Sequence, residues 1–127
     1  VIACGGGGIP VLAQNNKLQG ASAVIEKDSA AEKLAELIEA DRLVILTGVQ
    51  KVCLHFGEEN EQPLEEMTVA QARQYMAEGQ FEEGTMLPKI EAAIAFIGNS
   101  AVRSVLITKL GICDEDSVGI SGTVIHK

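Results

Sequence analysis

The segment SAAEKLAELIEADRLVIL, residues 29–46, decides the fold class. Ser29 and Glu32 have the spacing of a capping box, and the apolar residues that follow, Leu34, Leu37 and Ile38, lie on one helical face. Residues 43–46 then form the continuous apolar run that is typical of a buried parallel strand. This segment predicts a helix joined directly to a buried strand, which is the unit from which α/β proteins are built.

The residues before this unit predict short strands and one hairpin. Apolar runs at residues 1–4 and 23–25 are interpreted as strands, the first of them buried. Between them, Val11-Leu12-Ala13 precedes the turn sequence Asn15-Asn16, which indicates a hairpin. Because the chain opens on Val1 within a predicted strand, we expect it to be cut from a longer protein.

The residues after the unit continue the alternation of strands and helices. A short strand is predicted at residues 52–56, and Thr68 with Gln71 forms a second capping box before a helix that stops at Gly79. Pro88 stands in the first turn of a third helix, and strands are predicted at residues 105–107 and 123–125. The chain therefore predicts one α/β domain over residues 1–127 with a mainly parallel sheet.

Composition excludes some classes of function. The chain has 127 residues, 46% of them apolar, and its net charge is −8 without a stripe of Lys or Arg. A nucleic-acid backbone requires the opposite field, so we expect no nucleic-acid partner. The absence of a long apolar run predicts a soluble, cytoplasmic protein without a membrane partner. The three cysteines, Cys4, Cys53 and Cys113, lack metal-binding spacing and are interpreted as reduced thiols of the core.

Four consecutive glycines, Gly5-Gly6-Gly7-Gly8, follow the first predicted strand. Backbone N–H groups without side chains around them can approach a phosphate closely, so the run indicates an anion-binding turn. A plain tight turn is the alternative. The run is neither a Walker A loop, because no Gly-Lys-Ser/Thr follows, nor a Rossmann fingerprint, because Pro10 and an apolar run replace the helix.

Two lysines stand at the amino ends of predicted helices. Lys27 precedes the first helix and Lys89 follows Pro88 in the third. A cation gains nothing from the helix dipole there unless an anion is bound, so both positions favour a phosphoryl group as ligand. Phosphoryl transfer by electrostatic stabilisation requires such an arrangement of positive groups. Asp28, by itself, is explained as an acidic residue favoured by the dipole.

Several blocks in order resemble the carbamate kinases of the amino acid kinase family. They are GGGGIP at residues 5–10, AVIEKD at 23–28, LVILT at 43–47, GQF at 79–81, GTMLPK at 84–89 and GTVI at 122–125. The resemblance runs through the whole chain but covers only the C-terminal part of that family's length.

This resemblance implies a three-layer αβα sandwich and a C-terminal lobe that binds ATP or ADP with Mg²⁺. It implies reversible phosphoryl transfer between carbamoyl phosphate and ADP in arginine or purine-derived fermentation, a small substrate held mainly by a missing N-terminal lobe, and a homodimer. Lys27 and Lys89 would stabilise the transferring group, and Asp28 would orient them. The residues implied to flank the nucleotide are Thr47, Gly48, Val49, Met86 and Pro88.

The chain departs from the pattern of the carbamate kinases at three places. Gly48 stands where the family usually has Asp, Leu87 where it has Gly, and residues 50–53 replace Asn-Gly and an aromatic residue. The phosphoryl lysines are unaffected, but the nucleotide wall is altered. The sequence therefore leaves two hypotheses, a carbamate-kinase-like phosphotransferase and a non-catalytic nucleotide-binding or assembly module derived from one.

Overall fold

The computed structural model describes residues 1–111 and 121–127. In chain order its elements are β1 (Val11–Gln14), β2 (Lys17–Gly20), α1 (Lys27–Leu37), β3 (Arg42–Thr47), β4 (Cys53–Leu54), β5 (Gln62–Pro63), β6 (Glu66–Thr68), α2 (Val69–Ala77), α3 (Met86–Ile97), β7 (Ser104–Lys109) and β8 (Thr123–His126).

In the described part of the chain, the central sheet has four strands in the order β3-β7-β8-β6. The β3–β7 and β6–β8 pairs are parallel, and the β7–β8 pair is antiparallel. β1 with β2 and β4 with β5 form separate antiparallel pairs. The sheet is therefore mixed with mainly parallel pairing, and the α/β prediction is confirmed.

Within residues 1–111 and 121–127, one hydrophobic core joins α1, α2 and α3 to one face of this sheet. Ala35 of α1, Ala72 of α2 and Phe96 of α3 pack in the same buried cluster as Ile45 and Ile107 of the sheet. The cluster is built almost entirely from aliphatic side chains, as the scarcity of aromatic residues requires. On the opposite face of β3, Val44 and Leu46 are exposed. The described residues thus supply the sheet and one helical layer of the expected sandwich.

The helix starts differ in how well the sequence predicts them. The capping box of α2 is present, with the Gln71 N–H donating to Thr68 Oγ1 and the Thr68 N–H donating to Gln71 Oε1. The capping box predicted at Ser29 is wrong, because α1 already begins at Lys27 with Glu26 as its N-cap. Glu26 Oε1 accepts the Asp28 N–H at 3.4 Å, so an acidic side chain takes the role expected of a serine.

Two predicted strands are absent. Residues 1–4 and 23–25 form no strand, and their apolar side chains are exposed, Val24 at 94% of its area. A strand requires a neighbour that takes up its N–H and C=O groups, and no described segment pairs with these runs. The strand predicted at residues 52–56 is shortened to Cys53–Leu54. The hairpin is confirmed, with both turn residues, Asn15 and Asn16, at positive φ.

The cysteine interpretation is wrong in part. Cys4 is an exposed free thiol, because the strand that would have buried it does not form. Cys53 is a half-buried free thiol. Cys113 lies outside the described residues.

Candidate active site

The first turns of α1 and α3 are joined by an ion pair. Lys89 Nζ lies 2.9 Å from Asp28 Oδ2, and the two side chains are only 12% and 13% exposed. Because α1 and α3 pack side by side, residues that are 61 positions apart in the chain meet at the amino ends of both helices. A cation and a carboxylate are thereby fixed where the two helix dipoles favour an anionic ligand.

Lys27 is adjacent to this pair but points differently. It is the first residue of α1, directly before Asp28, and its side chain is 69% exposed. Its ammonium lies 3.6 Å from Glu26 Oε1. The structure therefore places Lys27 next to the Lys89–Asp28 pair along the chain while leaving its ammonium in solvent.

The tetraglycine turn packs against the start of α1 through Gly7. Gly7 has φ +116°, and a Cβ atom there would lie 2.6 Å from the carbonyl oxygen of Ile25, two residues before the helix. Its N–H donates to the Cys4 carbonyl at 2.7 Å and is not free for a phosphate. Cβ atoms at Gly5, Gly6 and Gly8 would meet no atom within 4 Å, and these three glycines are exposed.

A pocket of about 280 Å³ opens between the carboxyl end of β3 and the amino end of α3. Its lining residues are Thr47, Gly48, Val49, Lys51, Cys53, Phe56, Gln80, Phe81, Glu82, Thr85 and Met86. Four of the residues predicted to flank a nucleotide, Thr47, Gly48, Val49 and Met86, are thus brought together. Pro88 and the four glycines are not part of this lining; Pro88 lies in the first turn of α3, two residues after Met86.

The aromatic walls of the pocket were not predicted from the sequence. Phe81 is buried in the core, whereas Phe56 is 60% exposed, and both line the cavity. His55 has φ +52°, and its N–H donates to Gln80 Oε1 at 3.0 Å, which fixes the chain next to Phe56. A cavity with apolar and aromatic walls and a few polar groups suits a planar organic ligand.

The amino end of α3 forms the floor of the pocket without a side-chain cap. Thr85 is the N-cap residue but makes no capping hydrogen bond, and its hydroxyl donates instead to Glu82 Oε2 at 2.7 Å. Met86 lines the pocket and Lys89 holds Asp28 one turn further along the helix. The pocket and the ion pair are therefore adjacent on α3.

Burial raises the pKa of the Cys53 thiol, and the neighbouring Glu61 carboxylate acts in the same direction. Only a small fraction of this thiol is therefore ionised to thiolate at neutral pH.

Within residues 1–111 and 121–127 no group of three or more His, Cys, Asp or Glu side chains is placed to hold a metal ion. None of the helices in the same residues is long and apolar enough to cross a membrane.

Comparison with known proteins identifies the family to which the chain belongs. The model of the amino acid kinase family matches residues 2–109, which include the glycine turn, the pocket and the ion pair. The chain belongs to the amino acid kinase family.

Within the amino acid kinase family, the chain is similar to carbamate kinases. It is 52% identical over 126 residues to carbamate kinase 2 of Staphylococcus aureus, which covers 99% of the chain. The structure of carbamate kinase from Giardia lamblia bound to AMP-PNP superposes on 96% of the chain with a TM-score of 0.85 and 36% identity. A structure from Aeropyrum pernix K1 superposes on 95% of it with a TM-score of 0.78 and 36% identity.

The chain spans about 40% of the length of these relatives. It covers 40% of the Staphylococcus aureus protein and 42% of the Giardia lamblia chain. The resemblance to carbamate kinases seen in the sequence blocks is confirmed.

Proposed function

We propose that this chain is the nucleotide-binding C-terminal lobe of a carbamate-kinase-like phosphotransferase. Joined to an N-terminal lobe, it would transfer a phosphoryl group reversibly between carbamoyl phosphate and ADP, and as this lobe alone it would be inactive. The observation that carries the proposal is the Lys89–Asp28 ion pair, which joins the amino ends of two helices beside a pocket suited to a nucleotide.

Three residues would act on the transferring group. The ammonium of Lys89 would donate hydrogen bonds to the phosphoryl oxygens, and Asp28, 2.9 Å away, would hold that ammonium in place. Lys27, whose ammonium is in solvent beside the same helix start, would turn inward to the phosphoryl group when ligand binds. Positive groups around the oxygens stabilise the transition state with little covalent chemistry, as phosphoryl transfer requires.

The nucleotide would lie along the amino end of α3. Its base would occupy the cavity between Phe56 and Met86, and Thr47, Gly48 and Val49 would form the opposite wall. Its phosphates would extend past Pro88 towards Lys89 and the open backbone of Gly5, Gly6 and Gly8. Mg²⁺ would be held mainly by the phosphates of the nucleotide and would offset their charge, because Mg²⁺ in kinase sites is bound mainly through phosphate oxygens and one or two carboxylates.

The test uses the complete protein, meaning this chain together with the proposed N-terminal lobe. ATP formation from carbamoyl phosphate and ADP is measured for Lys89→Ala and Lys27→Ala, with Lys33→Ala as control because Lys33 is an exposed lysine of α1 that pairs with Glu36. Loss of a contact made in the transition state lowers kcat by about 10²–10³ and changes the KM for ADP little. Normal kcat in both variants would refute the phosphotransferase proposal.

A second candidate is a nucleotide-binding or assembly module without catalysis. Gly48 favours it, since a Cβ at this pocket residue would meet no atom within 4 Å and the site thus has room for the carboxylate that is absent. Calorimetry of the complete protein with ADP and Mg²⁺ separates the two candidates when combined with the ATP assay. Binding without ATP formation would establish the module, and no binding would indicate a structural role.

The remaining expectations follow from the resemblance to carbamate kinases. We propose a cytoplasmic homodimer that acts in arginine or purine-derived fermentation. The opposite face of β3, where Val44 and Leu46 are exposed, would be covered in the complete protein.

A further inference from the structure

Lys51 is a cation in the wall of the nucleotide pocket. Its side chain is 22% exposed and lines the cavity, while the carboxylate that it pairs with, on Glu65, is 75% exposed. The ammonium is thus paired with a carboxylate that is mostly in water. An ion pair with such an exposed partner is weak.

The backbone on both sides of this ion pair is fixed independently of the two side chains. The N–H of Val52, next to Lys51, donates to Thr123 Oγ1 at 2.8 Å in the core. The main-chain carbonyl of Glu65 accepts the Val124 N–H at 2.9 Å. The side chain of Lys51 can therefore change partners without movement of the backbone that carries it.

A ligand in the pocket offers this ammonium a better partner. A nucleotide carries phosphate and base acceptors, and a charge-assisted hydrogen bond inside a cavity is worth more than an ion pair at its rim. The chain has a net charge of −8, so every cation that faces the cavity offsets an unfavourable field for an anionic ligand.

We propose that Lys51 is a nucleotide-binding residue, whose ammonium exchanges the Glu65 carboxylate for an acceptor atom of the bound nucleotide. This inference rests on the proposed function and adds to it an affinity determinant controlled by the competing carboxylate. Lys51 would act on binding and not on the transferring group, because it lines the pocket proposed for the nucleotide base, whereas the paired residues Lys89 and Asp28 do not line it.

The experiment measures the Kd of ADP with Mg²⁺ by calorimetry on the complete protein and two opposed variants. Lys51→Met keeps the aliphatic stem and removes the charge, and we expect binding about tenfold weaker. Glu65→Gln removes the competitor, and we expect binding about two- to fivefold tighter. Lys51→Arg retains the charge and is expected to restore most of the affinity. Unchanged urea unfolding midpoints show that the variants are folded.

The opposite signs are decisive, because a purely structural ion pair predicts that both substitutions weaken binding equally. Equal effects of Lys51→Met and Glu65→Gln, or no effect of either, would overturn the inference while leaving the proposed function intact. Absence of ADP binding by the unsubstituted protein would overturn both. Repeating the titrations with adenosine in place of ADP locates the acceptor atom. If Lys51→Met raises the Kd of adenosine less than the Kd of ADP, the acceptor is on the phosphates. If it raises both equally, the acceptor is on the nucleoside.

Discussion

The ammonium of Lys89 lies 2.9 Å from a carboxylate oxygen of Asp28, and both side chains are mostly buried where α3 packs against α1. A buried charge that loses its partner is strongly unfavourable, whereas loss of both charges is tolerated better. The ion pair is consequently a stability element as well as a candidate catalytic one, and the two roles can be separated by experiment.

Asp28→Asn is expected to lower the free energy of unfolding by about 1–3 kcal/mol, because it leaves the Lys89 ammonium with a neutral partner in a mostly buried place. Lys89→Met should cost a similar amount. The double variant should lose less than the sum of the two, which urea unfolding of all four proteins measures. Additive losses would show that the two side chains do not interact.

Gly7→Ala is expected to disrupt the tetraglycine turn. The added methyl group would lie 2.6 Å from the Ile25 carbonyl oxygen, and φ +116° is strained for any residue with a side chain. We expect a loss of stability of about 1–3 kcal/mol and weaker ADP binding by the complete protein. Gly6→Ala is the matched control, since its Cβ would meet nothing within 4 Å and its φ is not in the left-handed region. Equal behaviour of the two variants would contradict a structural role of the Gly7 contact.

The fold was largely predictable where a local pattern and its tertiary partner agree. The apolar run at residues 43–46 became β3 because the equally apolar β7 pairs with it in parallel. The runs at residues 1–4 and 23–25 have the same composition but find no partner within the described chain, and they stay exposed. Hydrophobic periodicity reports what a segment can bury, and not whether a neighbour exists to cover it.

Thr68→Ala tests the helix start that was predicted correctly. The Thr68 hydroxyl accepts the Gln71 N–H, so its loss should lower the free energy of unfolding by about 1 kcal/mol. Ser29→Ala is the contrasting substitution, because Ser29 lies within α1 and caps nothing. It should change stability by less than about 0.5 kcal/mol. Urea unfolding distinguishes the two variants. A larger loss in the free energy of unfolding for Ser29→Ala would contradict the structure and indicate that Ser29 caps the helix.

The sequence analysis singled out the two charged residues that the structure pairs, Lys89 and Asp28, but not the aromatic walls of the pocket. Lys89 stood out because a cation at a helix start needs an anion, whereas a role for Asp28 came only from the resemblance to carbamate kinases. Nothing local marks Phe56 or Phe81 as facing a pocket. Their position depends on how the segment after β4 packs on the amino end of α3, a relationship between residues about 25 apart that no spacing rule contains.

Cys53 provides a probe of that pocket. Burial and the Glu61 carboxylate raise the pKa of its thiol, so the reactive thiolate is scarce at neutral pH and increases as the pH rises past the ordinary thiol value. We expect alkylation by iodoacetamide to be slow at pH 7 and faster at each step up to pH 9.5. Peptide mass spectrometry follows this residue separately from the exposed Cys4.

Because Cys53 lines the cavity, saturating ADP with Mg²⁺ should slow its alkylation severalfold in the complete protein and leave Cys4 unaffected. Equal rates at Cys53 with and without the nucleotide, under conditions where calorimetry shows binding, would place the nucleotide outside this pocket.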